Sequence, residues 1–470
     1  MSAAGEQVFL KRVDKALHDP QMRSAVPFTQ DRLRMGREQA THELGNMEEW
    51  REAASEIRMH TIENLDSYLE QLATNVRKNG GHVHFAFKAE DAVSYVSEIA
   101  RKKGAKSVIK SKSMVSEEIH LNKKLEEIGV KVVESDLGEY IIQLAGEAPS
   151  HLIAPAIHKT KEQVAELFSK EAGRKIPVDT NQLLQFAREQ LRKEFLEADI
   201  GISGCNFAVA ESGSVILVSN EGNARLTTTL PKVHIAIMGM ERLVPTWKDL
   251  DIVISMLIRS ATGQKITSYV TGINGARLPE DMDGPEEFHL IILDNGRSDI
   301  LGTAYEEILK CIRCGACVNV CPVYRNIGGH AYGSVYSGPI GAVLAPLLEG
   351  YEELKELPFA SSLCGACTDV CPVKIPLHDL LIEHRKDVVE QGFITKFEKL
   401  AFKGFTFMAS HPFVYEKTIK MAHTGLSIFA KDGYIANGPG PLKGWTESRD
   451  FPKPAKQSFR DWWKKEMRDS

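Results

Sequence analysis

Seven of the chain's eight cysteines fall into two short runs, and the first, Cys311-x-x-Cys314-x-x-Cys317-x-x-x-Cys321-Pro322, dictates what this stretch can fold around. Two-residue steps wrap three thiolates about three corners of one cubane, and the longer step before a proline turns the fourth towards a second cluster. A zinc site takes four ligands, usually as two separated pairs, so four cysteines within eleven residues suit it poorly. The spacing is that of bacterial 4Fe-4S ferredoxins, and electron transfer is the first functional class it implies.

The second run, Ser361-x-x-Cys364-x-x-Cys367-x-x-x-Cys371-Pro372, keeps the register and the Cys-Gly-Ala-Cys core but carries serine in the first position. With the fourth cysteines crossing over, Cys311, Cys314, Cys317 and Cys371 form one complete set. Cys364, Cys367 and Cys321 then form a second set with an open corner. The Ser361 or Ser362 hydroxyl, water or Cys205 would close that corner; left empty, it makes a three-iron cluster. Two iron–sulfur clusters are expected, the first 4Fe-4S and the second 4Fe-4S or 3Fe-4S.

At 470 residues the chain exceeds one hydrophobic core, and two or three domains are expected. A formal net charge of -5, from 63 acidic and 58 basic residues, gives no global electrostatic case for binding nucleic acid. The first residues lack a basic stretch followed by an apolar core, and no run of about 18 apolar residues occurs. A cytoplasmic protein is expected, in a reducing compartment that spares thiolates for iron.

Residues 1–76 form a charged lead-in with helical periodicity at Leu65, Tyr68, Leu69, Leu72 and Val76. Its basic residues Lys11, Arg12, Arg32, Arg34 and Arg37 are assigned to a solvated face. Over 77–300, short apolar runs alternate with helical patterns, which argues for a largely parallel sheet flanked by helices, with a mixed portion where the later spacings shorten. Strands are expected at 82–87, 107–110, 131–134, 200–202, 207–210, 215–219, 234–238, 266–271 and 288–293. Residues 301–395 are the cysteine module; the 42 residues between Cys321 and Cys364 argue for a helical build, with helices at 346–355 and 378–389. The tail, 396–470, carries Phe402, Phe405, Phe407, Phe413, Tyr415, Trp445, Trp462 and Trp463, which are expected to cover a core.

Outside the cysteines the chemistry is weaker. Lys110-Ser111-Lys112-Ser113-Met114 falls at the carboxyl end of a strand, where ligands bind in open α/β sheets; exposed lysines beside a capping serine are the plain alternative. Glu134, Asp136 and Glu139, with Glu211-Ser-Gly-Ser and Asn220-Glu-Gly-Asn, read more readily as turns than as a pocket. Thr271-Gly-Ile-Asn-Gly275 lacks the spacing of a dinucleotide fingerprint, and no Walker loop, flavin signature or nucleophile elbow occurs. His151 and His158, seven apart, would share a helical face and offer a general base, though packed histidines are commoner. Cys205 reads as a buried apolar thiol. No catalytic residue is singled out.

Lys112-Ser113-Met114, Glu134-x-Asp136-Leu-Gly-Glu-Tyr140, Pro149-Ser-His151, Cys311-Ile-Arg-Cys314-Gly-Ala-Cys317 and Ser361-Ser-Leu-Cys364-Gly-Ala-Cys367 together resemble the lactate utilization protein B family, over nearly the whole chain. The resemblance implies an α/β fold: a Rossmann-like layered LUD-type domain, a mainly helical dicluster ferredoxin module and a helical, family-specific C-terminal region. It implies electron transport in oxidation of L-lactate to pyruvate, beside a cysteine-rich iron–sulfur subunit and a LUD-only subunit. Ser361 looks like the family's own pattern. An electron-carrier subunit is the leading expectation; a lactate-binding enzyme using the α/β domain, and a scaffold stapled by its clusters, are the other two classes.

Overall fold

The structure, a computed structural model, describes residues 2–440 and 442–467. It divides into two compact units, Met1–Phe393 and Ile394–Ser470.

The first unit opens with four helices, α1 (Ser2–Leu17), α2 (Met22–Leu44), α3 (Met47–Glu63) and α4 (Leu65–Lys78). In α4, Leu65, Leu72 and Val76 are buried one above another because a 3.6-residue repeat sets them on one stripe. That stripe lies on a six-stranded sheet built from β1 (His82–Ala86), β2 (Ser107–Lys110), β3 (Lys131–Glu134), β4 (Ile200–Ser203), β7 (Val233–Gly239) and β10 (Glu287–Leu293). The order is β1-β10-β7-β4-β2-β3 and every pairing is parallel. Ile235 and Ile237 of β7 pack with Ala92, Val96 and Ile99 on one face, and Ala236 and Met238 pack with Leu72 and Val76 on the other. Both faces of the central strands are covered, so β4, β7 and β10 are mostly apolar, while the edge strand β1, with His82 and His84, is partly exposed.

Four further strands form a smaller mixed sheet of order β8-β5-β6-β9: β5 (Phe207–Val209), β6 (Ser214–Ser219), β8 (Leu243–Val244) and β9 (Tyr269–Ile273). The mixed portion expected from the short spacings is this second sheet; its edge strand β9 starts three residues later than the expected 266.

The cysteine segment is helical, as its long insert implies, with Ala316–Val320, Pro322–Ile327, Gly338–Glu349, Ala366–Asp369 and Leu377–Glu390 as its α-helices beside the short Tyr351–Leu354. The helix expected at 346–355 is displaced. It is Pro339 that sits in the first turn, Pro346 lies inside, and Gly350 at φ 91° ends the helix before Tyr351. No helix forms over 149–159, where Pro149 and Pro155 interrupt the backbone, so His151 and His158 share no helical face.

In the second unit the helices Lys396–Ser410 and Pro412–Ser427 pack together, but no residue of either is buried. Phe402, Phe405, Phe407 and Phe413 are exposed instead of covering a core, and Ile435 is the one apolar residue described in this unit that is fully buried. No described helix is long and apolar enough to cross a membrane.

Candidate iron–sulfur centres and an adjoining cavity

Cys311, Cys314, Cys317 and Cys371 line one narrow cavity. Cys321 lies within electrostatic reach of Cys364, and Cys367 of both. The seven thiols thus gather as four and three, with each run lending its last cysteine to the other group. Burial pushes the Cys314 thiol up to about 12 and that of Cys367 up to about 11, and raises Cys317, Cys321 and Cys371 as well. Such thiols stay neutral until a metal takes the place of their protons.

The two runs repeat in backbone as well as in sequence. Arg313 and Leu363, each just before the second ligand position of its run, are left-handed at φ 59° and 52°, and Gly315 and Gly365 just after it are at 73° and 79°. The Arg313 N–H donates to Cys311 Sγ at 3.4 Å, and the Leu363 N–H donates to Ser361 Oγ at 3.1 Å. Ser361 therefore presents its oxygen where the first run presents a sulfur. Cys205 lies elsewhere, half-buried on the loop after β4 beside Arg242.

The first group is ringed by cations. Arg37, Arg51, Arg58, Arg242 and Arg313 each interact electrostatically with one or more of its cysteines. Most of them also pin its backbone: Arg37 donates to Val370 O at 3.0 Å, Arg51 to Cys371 O at 3.0 Å, and Arg242 to Cys311 O at 2.8 Å. Arg58, fully buried, donates to the carbonyls of Leu309, Lys310, Glu241 and Leu243. Arg12 and Arg37, assigned to a solvated face by sequence, instead hold carbonyls of this segment. Two buried carboxylates answer these charges. Glu241 pairs with Arg297 at 2.8 Å and Arg313 at 3.4 Å, and Glu118 pairs with Arg297 at 2.8 Å. Buried guanidiniums in excess of buried carboxylates are costly without a further anion, and a thiolate-ligated cluster is one. The donor set and its surroundings fit iron–sulfur. Beside the second group Arg385 donates to Ser361 O at 3.2 Å, and no cation is among the groups that shift Cys321 or Cys367.

A second cavity, of about 350 Å³, opens at the carboxyl ends of the parallel strands. From β2 the chain moves outward to β3, whereas β4 lies on the opposite side of β2 and leads inward to β7, so the loops after β2 and β4 part from each other. Ligands bind at such switch points. The lining includes Lys112 and Ser113 after β2, Asp136 after β3, Gly204, Cys205 and Asn206 after β4, and Glu241 and Arg242 after β7. A Cβ on Gly204 would stand 3.1 Å from Ser113, so glycine keeps the two loops close. Leu152 and Arg313 line both this cavity and the one holding the four cysteines.

Of the carboxylates read as turns, Asp136 and Glu221 are parts of this wall. Asp136 accepts from the Lys112 N–H at 2.7 Å and from Asn223 at 3.0 Å, and Glu139 pairs with Lys112 at 2.9 Å. Burial raises the carboxyl groups of Asp136, Glu139 and Glu221. Lys110 is buried, not exposed, and bridges Glu117 at 2.6 Å and Glu134 at 2.8 Å; Ser113 does cap the following turn. His151 is a structural group and not a base. Its Nδ1 accepts from the N–H of Ile153 and Ala154, its Nε2–H donates to Asn319 Oδ1 at 3.0 Å, and burial lowers it to about 4. His158 pairs with Glu147 at 2.6 Å, and the His330 ring meets it edge-on. The sequence signal that would have exposed the cavity is the set of loops that follow parallel strands; the arginines carried no signal of their own.

Three family models match the chain: the LUD domain over residues 69–293, a 4Fe-4S dicluster domain over 307–375, and the C-terminal region of lactate utilisation protein B over 382–468. The dicluster match marks the cysteine segment as an iron–sulfur region. Lactate utilization protein B of Shouchella clausii is 60% identical over 98% of this chain and 97% of its own length. Those of Geobacillus kaustophilus and Bacillus subtilis are 57% and 55% identical over 97% of this chain and 96% of theirs. A crystal structure of a DUF162 family protein from Deinococcus radiodurans aligns with 49% of this chain and 98% of its own at 13% identity and a TM-score of 0.29. The likeness to the bacterial proteins runs nearly end to end, through the α/β domain, both cysteine runs and the C-terminal unit, and the chain belongs to the lactate utilization protein B family.

Proposed function

We propose that this chain is an iron–sulfur electron-transfer subunit in oxidation of L-lactate to pyruvate, acting with a cysteine-rich iron–sulfur subunit and a LUD-only subunit in the cytoplasm. The observation that carries the reading is the gathering of seven thiols, six of them buried or half-buried and Cys364 exposed, into two adjoining groups, the first of them ringed by guanidiniums. One-electron reduction and reoxidation is the chemistry that clusters held there supply. Cys311, Cys314, Cys317 and Cys371 hold the first, a 4Fe-4S cluster. Cys321, Cys364 and Cys367 hold the second, also 4Fe-4S, with Ser361 Oγ at its fourth corner; the matched N–H donation to Cys311 Sγ and Ser361 Oγ supports that assignment. The arginines hold both loops of the first group in place and favour its more negatively charged, reduced state.

The test is anaerobic iron and sulfide analysis with EPR before and after dithionite. About eight irons and two reducible centres are expected. Cys314→Ala removes the first centre's signal and leaves the second. Ser361→Ala converts the second centre to a three-iron species visible in the oxidised protein, and Ser361→Cys keeps four irons there. Zinc in place of iron, or centres silent to reduction, overturns the reading; an unchanged spectrum in Ser361→Ala overturns the serine ligand alone.

A further inference from the structure

The aromatic side chains of the C-terminal unit cover no core, and they are too many to be incidental. Among the described residues 37 large apolar side chains are exposed, and 16 of them lie in residues 394–470, about a sixth of the chain. Phe397 and Phe405, in the helix Lys396–Ser410, are 78% and 61% exposed. Apolar surface concentrated in this way marks a binding face. The same stretch is the basic part of the molecule. Residues 394–470 carry 14 lysines and arginines against 8 aspartates and glutamates, a formal +6, whereas residues 1–393 carry 44 against 55, a formal -11. The net charge of the whole chain hides this split.

Charge and apolar surface are interleaved residue by residue. In Lys396–Ser410 the 3.6-residue repeat sets Phe397, Leu400 and Phe405 on one stripe and Lys396, Lys399 and Lys403 on another. Lys417 lies over the Phe413 ring and Arg449 over the Trp445 ring, each at 4.5 Å, and Arg460 lies over Tyr415 at 5.3 Å. The helix Phe459–Glu466 joins Trp462 and Trp463 directly to Lys464 and Lys465. Protein–protein interfaces are enriched in arginine and depleted in lysine, yet this unit has 11 lysines to 3 arginines. A bilayer surface suits that ratio: lysine heads reach the phosphates, tryptophan and tyrosine sit at headgroup level, and apolar side chains enter just below. No described helix is long and apolar enough to span the bilayer, so the contact lies along its surface. An anionic surface repels the -11 portion of the chain and attracts the +6 portion, which selects the unit that makes contact.

We propose that the C-terminal unit docks this protein on an anionic lipid bilayer, with the Phe397, Leu400 and Phe405 stripe entering the headgroup region and the neighbouring lysines pairing with lipid phosphates. The proposal does not rest on the electron-transfer reading, because vesicles bind or fail to bind whatever the centres do.

The experiment is flotation of the anaerobically reconstituted full chain with vesicles of mixed phosphatidylcholine and phosphatidylglycerol, beside vesicles of phosphatidylcholine alone, with tryptophan emission and sedimentation velocity measured on the same protein. Binding to the mixed vesicles only, weakened by salt and accompanied by a blue shift of emission, is expected. Lys396→Gln, Lys399→Gln and Lys403→Gln together should weaken it about a hundredfold, each lysine near such a surface counting for about fivefold. Phe397→Gln with Phe405→Gln should remove the binding that persists in salt. All five side chains are exposed, so neither set disturbs packing. A control set of exposed lysines in the first unit, Lys170→Gln, Lys175→Gln and Lys193→Gln, should bind nearly as wild type. No binding to the mixed vesicles overturns the proposal. So does binding that the control set weakens as much as the C-terminal set, or that the phenylalanine pair leaves unchanged in salt. Self-association abolished by the phenylalanine pair, without vesicle binding, overturns it by assigning the face to a second copy of the chain.

Discussion

Glu118 shows how a single carboxylate is made to matter in this fold. Burial pushes its carboxyl up, but Arg297, Tyr336 and Asn295 donate to it at 2.6–3.0 Å and more than offset that, so the net direction is down. Its folded value lies below its unfolded one, so it stabilises the fold fully above the usual carboxylate range and less as pH falls through and below that range. Glu118→Gln should cost about 3 kcal/mol at neutral pH, the cost of breaking a buried pair, with the gap to wild type narrowing in acid. Urea unfolding at pH 7 and at pH 4 reads both. The sequence offers no hint of this: Glu118 is one of two adjacent glutamates on a short helix, and Arg297 is 179 residues away. Arg58 is the same case, a helical arginine whose carbonyl acceptors lie 183–252 residues on. Ligand spacing, by contrast, is local, and so the two cysteine runs are legible in the sequence.

At the level of elements, α2 and α3 act as a charged clamp on the cysteine loops, through Arg37, Arg51 and Arg58. A cation stabilises the more negative, reduced state of a nearby centre, so removing it lowers the potential. Arg37→Gln combined with Arg51→Gln should lower the midpoint potential of the first centre by tens of millivolts and leave the second nearly unmoved, in an EPR-monitored redox titration. Equal shifts at both centres would contradict the charge asymmetry between the two groups. The periodicity of these helices was readable, but periodicity reports that a helix has two faces and not what covers the second. The same limit explains the tail, where aromatics at helical spacing suggested a core and the helices leave them exposed. It was turn chemistry that misled at Pro346, because Pro339 had already claimed the first-turn position.

For the whole molecule, all seven clustered cysteines and the switch-point cavity belong to the unit ending at Phe393. Limited proteolysis within the Gln391–Thr395 connection should therefore leave iron and both reducible centres with the larger fragment, read by gel and iron analysis. Loss of iron on cleavage would mean the C-terminal unit closes a centre. The alternation of strand and helix was enough to foresee a parallel sheet covered on both faces. The order β1-β10-β7-β4-β2-β3 was not foreseeable, because strands distant in sequence pair through side-chain packing that no local pattern encodes.

Cys364 is exposed to solvent while Cys314, Cys317 and Cys371 are sealed. Oxygen reaches a thiolate ligand through solvent, so the two centres should age at different rates once the protein leaves an anaerobic chamber. In timed exposure to air, the second centre's signal should decay first, and simultaneous decay would argue against it. A preparation purified on the open bench would then count as a one-centre protein, and that count would record its handling and not its biology.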